Sequence, residues 1–262
     1  MKEPRLFPNT VAGVLEALEM SFGKGIYADR VVERLLKQNK KWGSRDRSFV
    51  AEHTYEMVRW WGLLWALYDR EPSTKRKDLQ KLFGIYWQWR GYTLPDWPKF
   101  DAVRDFPVKE RLTKLNRIQD KESYAEWFND LALSQLGDKW PEIARNMNVP
   151  NTVNIRVNTL KASLEAVLEE LRAHNIEVHT HPVFENAFYL EGRPRLNNIP
   201  GFQNGNFEVQ DAGSQQIGYF LNPSPGSTTI DACAGAGGKT LLLGALMQNQ
   251  GQLIAMDVEG RK

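Results

Sequence analysis

The chain has 262 residues, 42% hydrophobic and 25% charged, with a single Cys and a formal net charge of +2. That apolar content suffices for packed cores and excludes a disordered, collagen-like or disulfide-stapled chain. No run of about 18 apolar residues occurs and the start MKEPRLFPNT lacks a signal peptide's apolar core, so neither a membrane span nor secretion is expected.

A lone thiol fits a reducing cytoplasm, which is the expected location. The charge is unevenly spread. Residues 1–121 hold 24 Lys/Arg against 16 Asp/Glu, a net of +8, whereas residues 122–262 hold 10 against 16, a net of −6. The near-neutral total conceals a basic half suited to a polyanionic partner. Its densest stretch carries Arg30, Arg34, Lys37, Lys40, Lys41, Arg45 and Arg47, partly offset by Asp29, Glu33 and Asp46. Such a run fits either a solvated helix face or a surface that tracks a phosphate backbone.

Helical spacing opens the chain: Val11, Val14, Leu15 and Leu18, then Val31, Val32, Leu35 and Leu36. Ser44 is placed to cap one helix holding Phe49, Val50, His53, Met57, Trp60, Trp61, Leu64 and Trp65. A third apolar stretch covers 79–89, and three prolines make 92–108 an irregular connection. The tryptophans crowded here follow the helical stripe, which makes them core residues. Further helices are predicted over 123–137 and 141–147.

Beyond Pro150 the pattern changes. Residues 152–157 (TVNIRV) read as a strand, Ser163 caps a helix over 164–174, and strand-like pieces follow at 177–183 and 187–190. This order suggests a small α+β domain. Asp211 or Ser214 is placed to cap the next helix, which ends at the prolines of 222–226. His179 and His181 alternate along a strand without further ligands nearby in sequence, so no metal site is expected.

The most informative segment is 227–257. A β-branched run (228–230) leads into D-A-C-A-G-A-G-G-K-T (231–240), then an apolar helix, a stop at Gly251 and a strand ending in Asp257. Strand, glycine loop, helix, strand and acid form the first half of a nucleotide-binding βαβ unit. Gly235, Gly237 and Gly238 allow a tight turn and close backbone approach. Asp257 stands where a carboxylate accepts hydrogen bonds from a ribose diol. The P-loop pattern fails because Cys233 stands where its first Gly belongs, and the dinucleotide pattern fails at Thr240. An S-adenosylmethionine loop, another nucleotide site and a plain structural turn remain open on motif mechanics alone.

D-A-C-A-G-A-G-G-K-T, preceded by F-E-V-Q-D-A-G-S-Q, resembles the RsmB/NOP2/Sun family of RNA cytosine-5 methyltransferases. N-I-R-V-N-T-L-K (154–161) is similar to the opening of that family's small RNA-contacting domain, and R-D-R-S-F-V (45–50) with Val58-Arg59 to its NusB-like front. The resemblance implies an α + α/β chain in three parts. They are a helical NusB-like RNA-binding domain (1–120), a small ferredoxin- or RRM-like α+β domain (121–205) and the start of a Rossmann-like cofactor domain (206–262). It implies S-adenosylmethionine held by Asp231, Cys233, Ala234, Gly235, Ala236, Gly237, Gly238, Lys239 and Asp257. It also implies ribosomal or transfer RNA held by Arg156, Asn158, Lys161 and the basic stretch of Arg30–Arg47.

The sequence departs from the family in two places. Gly235-Ala236 replace the usual Ala-Pro of the loop. The Pro-Cys and Thr-Cys motifs that carry the family's thiol chemistry are not among these residues. Cys233, at the start of the loop, reads as a packing residue, so no catalytic residue is assigned and the 262-residue chain is expected to show no turnover. The alternative is a non-catalytic NusB-type RNA-binding protein.

Overall fold

Pro8, whose missing N–H costs nothing in a first turn, opens helix α1 (Pro8–Lys24), and Gly25, with φ of +65°, stops it. A computed structural model describes residues 4–192 and 194–258. The chain divides into two units, Met1–Val149 and Pro150–Lys262.

The first unit is helical. After α1 come α2 (Ala28–Gln38), α3 (Ser44–Arg59), α4 (Trp61–Tyr68), α5 (Arg76–Trp89), α6 (Val108–Lys114), α7 (Ile118–Lys121), α8 (Glu126–Leu136) and α9 (Trp140–Asn148). The stretch expected to be irregular contains one 3₁₀ turn, Pro98–Val103. Leu15, Leu18, Met57, Leu64, Leu79, Leu82, Phe83, Ile85, Trp87 and Phe100 form the main core.

Two local expectations need correction. Gly43, not Ser44, is the N-cap of α3, and its N–H donates to the Asp46 carboxylate at 3.2 Å. The single helix expected through Trp65 is broken at Trp60, whose ψ moves to 19°. The break serves packing. Trp60 meets Trp89 edge-on at 5.2 Å, while Trp61 stacks on Phe22 at 3.7 Å. One straight helix would hold these adjacent rings at a fixed angle of about 100° to each other.

His53 is a core residue. Its Nδ1 lies 2.7 Å from the Tyr86 hydroxyl, and burial together with the Arg90 charge lowers its pKa to about 4. The unfolded chain therefore binds a proton that the native unit refuses between pH 6.5 and 4, so stability is full above that window and falls as the pH drops through it. The slope contributed by His53 should approach about 1.4 kcal/mol per pH unit, and His53→Gln should flatten it. Urea midpoints across pH 4–7 test this; equal slopes in both proteins would sink it.

The second unit holds two sheets. Strand β1 (Val153–Val157) is followed by α10 (Leu164–Ala173), β2 (Val178–Thr180), β3 (Ala187–Leu190), a short α11 (Pro200–Gln203), β4 (Phe207–Val209) and α12 (Ala212–Leu221). The strands form one antiparallel sheet in the order β2-β3-β1-β4. The Ser163 hydroxyl caps α10 by accepting from Ala166 N at 3.2 Å, and Asp211 caps α12 by accepting from Gly213 N.

Period-2 alternation sorts the two faces of β1. Ile155 and Val157 pack with Val167 and Leu171 of α10 and with Phe188, Leu190 and Phe207. Asn154 and Arg156 belong to the opposite set, yet both are buried. The second sheet is a parallel pair, β5 (Thr228–Asp231) and β6 (Gln252–Ala255), joined by α13 (Gly238–Leu246).

Candidate cofactor loop

β5 ends on Asp231, and the chain turns through residues 232–237 before α13 begins. Gly235 and Gly237 adopt φ of +53° and +86°, a region that side-chain-bearing residues rarely occupy. The Asp231 carboxylate ties the turn internally, accepting from the Thr240 hydroxyl at 2.7 Å and from Cys233 N at 3.3 Å. Backbone bonds run β6 alongside the loop: Met256 N donates to Asp231 O at 2.8 Å, and Ala234 N donates to Met256 O at 2.9 Å. Asp257, one residue further, accepts from Gly235 N at 2.8 Å.

The expected cofactor residues are thus brought together. Asp231 lies at the base of the loop, Ala234–Gly238 form its rim, and the Asp257 carboxylate crosses from the second strand. Lys239 extends to the Ser214 hydroxyl at 3.4 Å. Cys233 is exposed. The residues fit an adenosine-bearing ligand on one structural ground above all: an acid at the end of β6 is held against a positive-φ glycine turn at the N-terminus of a helix. That terminus also favours a negatively charged group.

The small sheet is different. Arg156 is 1% exposed; its Nε donates to Gln210 Oε1 at 2.7 Å and its Nη2 to Glu208 at 2.8 Å. Burial draws the Arg156 pKa down while the Glu208 charge acts to raise it, and guanidinium stays charged throughout. Asn158 closes a turn, donating to Gly205 O and accepting from Leu160 N, and Lys161 donates to Asn204 O. The structure therefore gives all three expected RNA contacts internal partners, and Arg156 is enclosed.

On the helical unit, Arg30, Arg34, Lys37, Lys40, Lys41 and Arg45 are exposed. Lys37 pairs with Glu33, and Arg47 turns inward to donate to Leu36 O at 2.7 Å, tying α3 to α2. On the edge of the four-stranded sheet, Glu177, His179 and Glu191 bring ligand atoms within 4.8 Å of one another. His181 is occupied as a turn acceptor for Val183 N and Phe184 N.

Sequence reasoning missed Gln210, Gln215 and Thr240. Q-D-A-G-S-Q was read for caps and as part of the family resemblance, and nothing in its residue types announces that the first Gln lies against the start of α13.

An antiparallel ferredoxin-like sheet followed by a parallel strand–glycine loop–helix–strand unit defines the class to which this molecule belongs. Residues 124–197 match the ferredoxin-like domain of RsmF/B-like methyltransferases, and residues 218–262 match the 16S rRNA methyltransferase RsmB/F model. Over these two segments the chain carries domains like those of the RsmB/F methyltransferases.

Among curated relatives, it is 31% identical over 166 residues to the "Probable ribosomal RNA small subunit methyltransferase B" of Bacillus subtilis, covering 63% of this chain and 35% of that protein. It is 35% identical over 121 residues to the "Ribosomal RNA small subunit methyltransferase B" of Pectobacterium carotovorum, covering 46% and 28%. The chain thus spans about a third of the length of these relatives. The crystal structure of PH0851 superposes with a TM-score of 0.67 at 22% identity, over 99% of this chain and 65% of that one. At that identity the likeness concerns the fold.

Proposed function

We propose that this chain serves the transfer of a methyl group from S-adenosylmethionine to C5 of a cytosine in small-subunit ribosomal RNA, in the cytoplasm. The observation that carries the reading is the Asp257 carboxylate held on Gly235 N, 2.8 Å away, across a loop with two positive-φ glycines. When bound, the cofactor supplies an electrophilic methyl group. The backbone of Ala234–Gly238 receives its amino-acid end, and Lys239 balances the carboxylate. Asp257 accepts from the ribose hydroxyls, and Asp231 keeps the loop closed. The segment 206–262 is then the opening of a Rossmann-like domain.

RNA is held by the exposed cations of α2 and the following turn on a NusB-like helical unit. Phosphate contacts of this kind release counterions, so RNA affinity should fall steeply with salt. The target cytosine must leave its stack to reach the loop. Arg156 contributes from the interior, as a strut, and Cys233, exposed at the start of the loop, is given no thiolate role.

The reading is tested by titrating S-adenosylhomocysteine and NADH separately into the 262-residue chain in a calorimeter. Binding of the first is expected, weakened about tenfold in Asp257→Ala, which removes a charged acceptor. Tight NADH binding with no response to S-adenosylhomocysteine would reverse it.

A further inference from the structure

Gln210, beside the first residue of α13, belongs to a group of polar side chains sealed from solvent. Gln210 is 6% exposed, Gln215 is fully buried and Arg156 is 1% exposed. Gln210 is clamped at three atoms. Its N–H donates to Asn154 O at 3.0 Å, its carbonyl accepts from Gln215 Nε2 at 2.9 Å, and its Oε1 accepts from Arg156 Nε at 2.7 Å. The last bond decides which way the amide faces, because the flipped amide would set two donors against each other.

Gln210 Nε2 is therefore turned away from the guanidinium, and it has no hydrogen-bond partner among the described residues. It lies 3.8 Å from where a Cβ on Gly238 would stand, and Gly238 is the first residue of α13. A buried donor without an acceptor is costly. This one sits beside a helix N-terminus, whose partial charge has the same sign. Both features favour an anionic group in the loop and disfavour a neutral one.

We infer that Gln210 sets the loop's preference for a ligand that carries a carboxylate, acting from beside the start of α13 as a positioning residue with Arg156 as its anchor. The inference rests on the S-adenosylmethionine reading and deepens it. The adenosine end is recognised by Asp257, and the amino-acid end is selected from beside the start of α13.

The test compares S-adenosylhomocysteine with 5′-methylthioadenosine, which shares the thioadenosine end and lacks the amino acid. The wild-type 262-residue chain should bind the first at least about tenfold more tightly, the worth of a hydrogen bond to a charged group. Gln210→Glu keeps an acceptor for Arg156 Nε but places a carboxylate where the donor was. It should lower S-adenosylhomocysteine affinity about tenfold and change methylthioadenosine affinity less than about twofold. Gln210→Met, which carries neither donor nor charge, should move in the same direction by less. If both ligands weaken together in the variants, Gln210 is a structural residue only and the inference falls. If the wild type binds neither ligand, the S-adenosylmethionine reading falls with it.

Discussion

Asp231→Ala should weaken S-adenosylhomocysteine binding by about a hundredfold, the sum of two lost charge-assisted bonds at about 1.5 kcal/mol each. The Asp231 side chain joins β5 to α13 through Thr240 at 2.7 Å and braces the turn through Cys233 N at 3.3 Å. It is also 9% exposed, so water replaces it poorly. Without it, two glycines with positive φ regain the freedom that the loop must surrender to hold a ligand. Asp231→Asn retains one acceptor oxygen and should fall between the two. Calorimetric titration with the melting curve of each variant reads both effects, and an alanine variant that binds within twofold of wild type would refute the role.

Trp87→Ala should destabilise the helical unit by about 3–5 kcal/mol, at the upper end for a large-to-small core change. Trp87 is fully buried, stacks on Phe83 at 5.8 Å and packs against Tyr92 at 4.6 Å, with His53 edge-on at 5.3 Å. Its Nε1 donates to Thr93 O at 3.1 Å, so truncation opens a cavity and removes a donor together. Trp87→Phe keeps most of the ring contacts and should lose about 1–2 kcal/mol. Chemical denaturation followed by far-UV circular dichroism measures both. A loss below 1 kcal/mol for the alanine variant would show that the aromatic cluster is not the unit's main support.

Elements with a strong local signal were legible in the chain. Pro8 and the Val11–Leu18 spacing define α1, Ser163 caps α10, and the residues of 187–190 form β3 as read. The loop was legible for the same reason: glycine is the residue that accepts φ of +53° and +86°, and an acid after the second strand has few other uses there. The break at Trp60 was not legible, because helical spacing continues through it. The partners that bend the chain, Phe22 and Trp89, lie far away in sequence. Arg156 shows the same limit. The family resemblance implied an RNA contact there, but its side chain bonds Glu208 of β4 and Gln210 just beyond it, and is buried.

By itself the sequence determined the helical first half, strands of the small α+β domain, the glycine loop and its acid, because each follows from periodicity, capping or φ preferences within a few residues. Only the tertiary structure decided which polar residues face a ligand and which serve the interior. Burial and hydrogen-bond partnership depend on residues some fifty positions away, as Arg156 and Gln210 show, and no local pattern encodes them.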